Sequence, residues 1–74
     1  MEIYADDILP GETDVIVYVH FVDDTDNHAI PSQGRFMVIF ENKEVASMTI
    51  EEIHKKAIDK AWHFFDKCLR FRNP

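Results

Sequence analysis

Two segments of this chain are apolar on both of their faces, and no other feature constrains the fold as much. Residues 15–22 read VIVYVHFV and residues 35–41 read RFMVIFE. Both are rich in β-branched and aromatic residues, which suit a pleated strand. Side chains alternate across a strand. One face of the first strand therefore carries Val15, Val17, Val19 and Phe21, and the other Ile16, Tyr18, His20 and Val22. The second divides into Phe36, Val38 and Phe40 against Arg35, Met37, Ile39 and Glu41. A two-layer antiparallel sheet keeps one face polar toward water. Here both faces call for a cover.

Only one segment reads as a helix able to supply it. Thr49 and Glu52 have the spacing of a capping box, and Met48 and Ile53 that of a hydrophobic staple. Ile50, Ile53, Ala57, Ile58, Ala61, Phe64, Phe65, Cys68 and Leu69 then recur at steps of three and four, one apolar stripe on which Cys68 reads as a core thiol. Glu51–Lys55, Glu52–Lys56 and Asp66–Arg70 are i,i+4 pairs in the favourable order. The pattern predicts a helix over about 50–70.

The rest is less regular. Residues 1–14 hold Ile3, Tyr4, Ile8 and Leu9 without clean periodicity and predict a short strand or an extended arm. Pro10-Gly11 fits the middle of a type II turn. The "NKE" of residues 42–44 reads as a tight turn, and residues 45–48 as a short third strand. The expected fold is α+β: a small antiparallel sheet with one long C-terminal amphipathic helix on one face, a single domain over residues 1–74.

One helix covers one face. The other falls to the N-terminal arm, to a second copy or to a partner. Ile16, Tyr18, Val22, Met37 and Ile39, the expected dimer interface, present on the order of 300–600 Å² of apolar surface. Hiding that much is worth roughly 10 kcal/mol at about 25 cal/mol per Å², before association and ordering costs are subtracted. A chain of 74 residues is marginal on its own. Its one cysteine allows no internal disulfide and fits a reducing compartment. No basic stretch followed by an apolar one opens the sequence, and its longest apolar run is too short to span a bilayer. A cytoplasmic protein without membrane association is expected.

Charge is uneven. Residues 1–44 hold ten acids and two bases, a balance of −8, and residues 45–74 hold four acids and six bases, a balance of +2. Such an acidic half repels nucleic acid and anionic membranes and attracts basic protein surfaces. Simple solubility is the plainer use of the same charge.

The stretch FVDDTDNHAIPSQGRF, residues 21–36, invites a calcium reading. A calcium loop of the EF-hand type needs ligands at positions 1, 3 and 5, Gly at 6 and Glu at 12. Counting from Asp24 puts His28 at 5, Ala29 at 6 and Arg35 at 12; counting from Asp23 puts Thr25 at 3, His28 at 6 and Gly34 at 12. Both registers fail, and the stretch reads as a long solvated connection. His54 and His63 point to opposite sides of the helix, so no zinc pair forms. Ser32 and Ser47 lack a nucleophile elbow, and two glycines make no phosphate loop. No catalytic residue, cofactor or metal is assigned.

In size, acidity and lack of a catalytic motif, the chain resembles the small inhibitors carried by phages and mobile elements, anti-CRISPR and anti-restriction proteins among them. The resemblance is one of size and charge. It implies a homodimeric, non-enzymatic interaction protein that binds a basic protein surface and inhibits or regulates its owner. Asp23, Asp24 and Asp26, with Asp6, Asp7, Glu41 and Glu44, would steer the contact, with Tyr18 or Trp62 as its anchor. Two other readings stand beside it. One is a metal- or ligand-binding module or enzyme using His20, His28, Asp24 and Asp26. The other is a nucleic-acid-binding accessory protein using Lys60, Lys67, Arg70 and Arg72 at the basic helix end.

Overall fold

The computed structural model describes residues 2–23 and 32–72. Three strands, β1 (Glu2–Pro10), β2 (Asp14–Asp23) and β3 (Ser32–Glu41), form one antiparallel sheet in the order β1-β2-β3. A single helical turn, α1 (Asn42–Val45), leads to the long helix α2 (Ile50–Arg72). This is the expected α+β arrangement. The two doubly apolar segments are the central strand and one of its neighbours.

The N-terminal segment is a full edge strand. Its pattern looks irregular because the strand is bulged: Asp6 and Asp7 stand between the pairs Ala5–Val19 and Ile8–Val17, two residues opposite Tyr18 alone. The bulge shifts the alternation, so Ile3 and Ala5 before it and Ile8 after it all pack against the core.

The β1–β2 connection differs from a type II turn. Gly11 does not take the left-handed backbone that such a turn would need there. Its N–H donates to the Asp14 carbonyl at 2.8 Å, and a Cβ at this position would lie 3.0 Å from that same oxygen. Close approach, rather than positive φ, calls for glycine. Asn42 ties the connection to the end of β3. Its side-chain amide donates to the carbonyls of Glu12 (2.9 Å) and Gly11 (3.4 Å), and its backbone N–H to that of Thr13 (3.1 Å).

Residues 45–48 do not form a strand. The chain coils at Asn42, where the Glu41 N–H donates to Glu44 Oε1 at 3.2 Å. That turn swings Val45 into the core, where it is 7% exposed, and Met48 N–H closes back on the Val45 carbonyl. Burying Val45 between sheet and helix removes it from the edge pairing a further strand would need.

Helix α2 begins as its cap residues dictate. Thr49 Oγ1 accepts from the Glu52 N–H and donates to Glu52 Oε1, each at 3.2 Å, and Met48 and Ile53 both pack on the core. Ala57 and Ala61, both essentially inaccessible, let the helix axis approach the sheet closely over Val17, Val19 and Phe40. The predicted stripe is only partly used. Ile53, Ala57 and Ala61 are buried and Ile58 and Phe65 half-buried, whereas Ile50, Phe64, Cys68 and Leu69 are exposed. Cys68 is thus not a core thiol, because three strands are too narrow to underlie a helix of 23 residues over its whole length. Among the described residues, no helix is long and apolar enough to cross a membrane.

Replacing Asn42 by Ala removes two long-range hydrogen bonds that the hairpin tip has to α1. The expected loss is about 1 kcal/mol in urea-unfolding stability, given the usual net value of such bonds.

Candidate functional site

The face of the sheet turned away from α2 is the candidate site, and its layout follows from strand register. Five rows cross it. Asp14 and Glu41 form the first, at the α1 end. Leu9, Ile16 and Ile39 form an apolar row across all three strands. Tyr18 and Met37 come next, level with the bulge on β1. Tyr4, His20 and Arg35 form the fourth row, and Glu2, Val22 and Gln33 the last. The middle of the face is therefore apolar and aromatic, with acids at both ends.

Nothing among the described residues lies over this face. The N-terminal segment, one of three expected covers, pairs beside β2 and widens the sheet instead of folding across it. Met37 (56% exposed), Ile39 (51%), Leu9 (47%) and Tyr4 (41%) remain open to water. Ile16, Tyr18 and Val22 are half-buried by their neighbours in the sheet. The five residues expected to form a dimer interface thus share one continuous surface.

The polar side chains here are placed by one another. The Tyr4 and His20 rings stack at 4.9 Å with 13° between their planes. His20 Nε2 lies 3.5 Å from Asp6 Oδ2, an ion pair when the imidazole is protonated. The bulge brings Asp6 within reach of that ring. The Arg35 guanidinium sits 4.6 Å above the centre of the Tyr18 ring. At the α1 end, Asp14 and Glu41 are direct cross-strand partners of like charge, which is unfavourable. Lys43 Nζ, 3.4 Å from Glu41 Oε2, offsets part of it. These residues and Glu12 line a shallow hollow of about 400 Å³.

The steering and anchoring residues expected from sequence are not gathered on one surface. Tyr18 and Glu41 lie on the open face. Glu44 is beside Glu41 on α1. Asp23 is at the opposite end of β2, paired with Ser32 and in the alternation of the helix-covered side. Trp62 belongs to α2, packed edge-on against Phe21 at 5.8 Å and Phe65 at 6.1 Å, with the sheet between it and Tyr18. One flat partner surface cannot reach both aromatic anchors. Asp24 and Asp26, and with His28 the core of the alternative metal-site reading, lie outside the described residues. Among the described residues, no group of three His, Cys, Asp or Glu side chains is arranged to hold a metal ion.

Asp6, another of the expected steering acids, sits beside His20 at the bulge, and Tyr4 and Leu9 also belong to the site but carry no motif. The usable signal was the Asp6-Asp7 pair inside an otherwise strand-like segment, since a bulge often marks an edge strand. At the basic helix end, Lys60 donates to the Ile39 carbonyl at 3.5 Å and lies 4.5 Å from the centre of the Phe40 ring, and Arg70 pairs with Asp66 at 3.1 Å. The open face is broad and shallow, a geometry for contact with another macromolecule. Comparison with protein-family models, curated proteins and solved structures finds no significant match to this chain.

Changing Asp14 to Asn removes one of two opposed carboxylates. Thermal or urea unfolding is expected to show a gain of roughly 0.2–1 kcal/mol, the size of a cross-strand charge pair. The gain shrinks as salt screens the wild-type repulsion.

Proposed function

We propose that this chain is a non-enzymatic interaction protein whose open sheet face binds a basic surface on a partner protein and so inhibits or regulates that partner. The observation that carries the reading is the uncovered apolar middle of the face, flanked by Asp14 and Glu41 at one end and by Glu2 and Asp6 along β1. Apolar rows supply affinity through burial, and the acids supply steering and select a partner of opposite charge. The opposed Asp14 and Glu41 give a cationic partner a further advantage. A Lys or Arg placed between them relieves a repulsion that exists only in the free protein. Tyr18, held at the centre under Arg35, is the anchor on this face.

The test is capture from a lysate of the native host on immobilised chain. A partner is expected to be retained at low salt, eluted by rising salt, and retained less by the Asp6→Asn/Asp14→Asn variant. Ile16→Lys, which puts a charge into the apolar row, should weaken the purified pair at least about tenfold, or 1.4 kcal/mol, by calorimetry. Retention that ignores salt and all of these changes would falsify the reading.

A further inference from the structure

We propose that β3 pairs antiparallel with β3 of a second copy, about a two-fold axis through Val38, to make one six-stranded sheet. The proposal concerns the edge of the sheet and does not depend on what the open face binds.

The two edges of the sheet are treated differently. An exposed strand edge offers unpaired N–H and C=O groups to any other strand, and proteins commonly blunt it with bulges, proline and charge. β1 has all three: the Asp6-Asp7 bulge, Pro10, and the acids Glu2, Asp6 and Asp7. β3 runs ten residues in unbroken register with β2, contains no proline, and has one charged residue, Arg35, before Glu41 ends it. A shallow apolar groove of about 210 Å³ lies along it, between β3 and α2, with Phe64 in its wall 54% exposed.

The outward positions of β3 are identified by two contacts. The Ile39 carbonyl accepts from Lys60 of α2, and the Glu41 N–H donates to Glu44, so these residues direct their backbone groups away from β2. By alternation Arg35 and Met37 do the same. An antiparallel partner must therefore match odd positions with odd positions.

Within that restriction, residues 35–41 are self-complementary. RFMVIFE reads outward from Val38 as Met37 and Ile39, then Phe36 and Phe40, then Arg35 and Glu41. With Val38 opposite Val38 of the second copy, Met37 meets Ile39 on the open face and Phe36 meets Phe40 on the helix side. Arg35 meets Glu41 at each end of the seam, on the same face. The pairing thus joins apolar to apolar on both layers and opposite charges at both ends. Shifting the axis to Met37 sets Arg35 against Ile39, and shifting it to Ile39 sets Met37 against Glu41. The ladder is carried by the Met37–Ile39 pairs, because the Glu41 N–H is already bonded. The 3.5 Å Lys60–Ile39 contact, long for a hydrogen bond, gives way.

Light scattering on the eluting full chain at high micromolar concentration should give twice the chain mass of 8.7 kDa. Arg35→Glu and Glu41→Arg each oppose like charges at both ends of the seam and should shift the protein toward one chain mass. The double variant Arg35→Glu/Glu41→Arg should restore the dimer. On a Cys68→Ser background, Val38→Cys should oxidise to a covalent dimer, since the register puts the two positions at a close non-hydrogen-bonded pair. Gln33→Cys, far from its own copy in that register, should not. The cross-link reads the seam directly, even where a charge variant folds poorly. One chain mass for the wild type, or a dimer that survives both single reversals and leaves Val38→Cys uncrosslinked, overturns the proposal. So does a dimer abolished by Leu9→Lys/Ile16→Lys yet indifferent to the reversals, which would place the second copy on the open face.

Discussion

One helix lies on a sheet whose two best strands are apolar on both sides, and the other features of the molecule follow from that mismatch. The covered side is well made: Val17, Val19, Phe40, Ala57 and Ala61 are all but inaccessible, and no described side-chain polar atom is buried without a partner. Two alanines at the contact bring the helix close, so that modest side chains suffice to fill the layer. Among the described residues the opposite side is left bare, and there is no second amphipathic helix with which to finish the sandwich.

Its exposed surfaces are distinct in chemistry. The open face combines apolar rows with acids at both ends, and that combination favours a basic partner with some hydrophobic surface. The β1 edge is guarded by a bulge and negative charge. The β3 edge is continuous, with Arg35 within it and Glu41 at its end. A face and an edge lie at right angles, so one can be engaged while the other is free. Pairing along β3 would double the open face rather than cover it.

Much of the fold was legible in the sequence where local chemistry decides. Thr49, Glu52 and the staple pair set the start of α2 by contacts within a few residues. The runs 15–22 and 35–41 declared themselves as strands by composition, and their alternation separated the two faces correctly. The segments that misled are those whose conformation is set by distant partners. The bulge at Asp6 and Asp7 disguised β1, since its alternation makes sense only against Tyr18. Val45 read as strand-forming, yet it joins the buried core from a helical turn. Asn42 read as a turn residue and is also the clasp between two connections about thirty residues apart. The apolar stripe of α2 was legible, but how much of it is covered depends on sheet width, which no local pattern records.

By itself, the sequence determined that two strands would be apolar on both faces, that a single capped helix would follow them, and that negative charge would concentrate in residues 1–44. These are consequences of side-chain alternation, helix capping and composition, which act over a few residues. Only the tertiary structure decided that the N-terminal segment would extend the sheet rather than cover it, that Tyr18 and Trp62 would face opposite ways, and that β3 would keep an open edge. Those outcomes depend on which strand finds which edge. That choice is made by long-range backbone pairing and by the area one helix can shield.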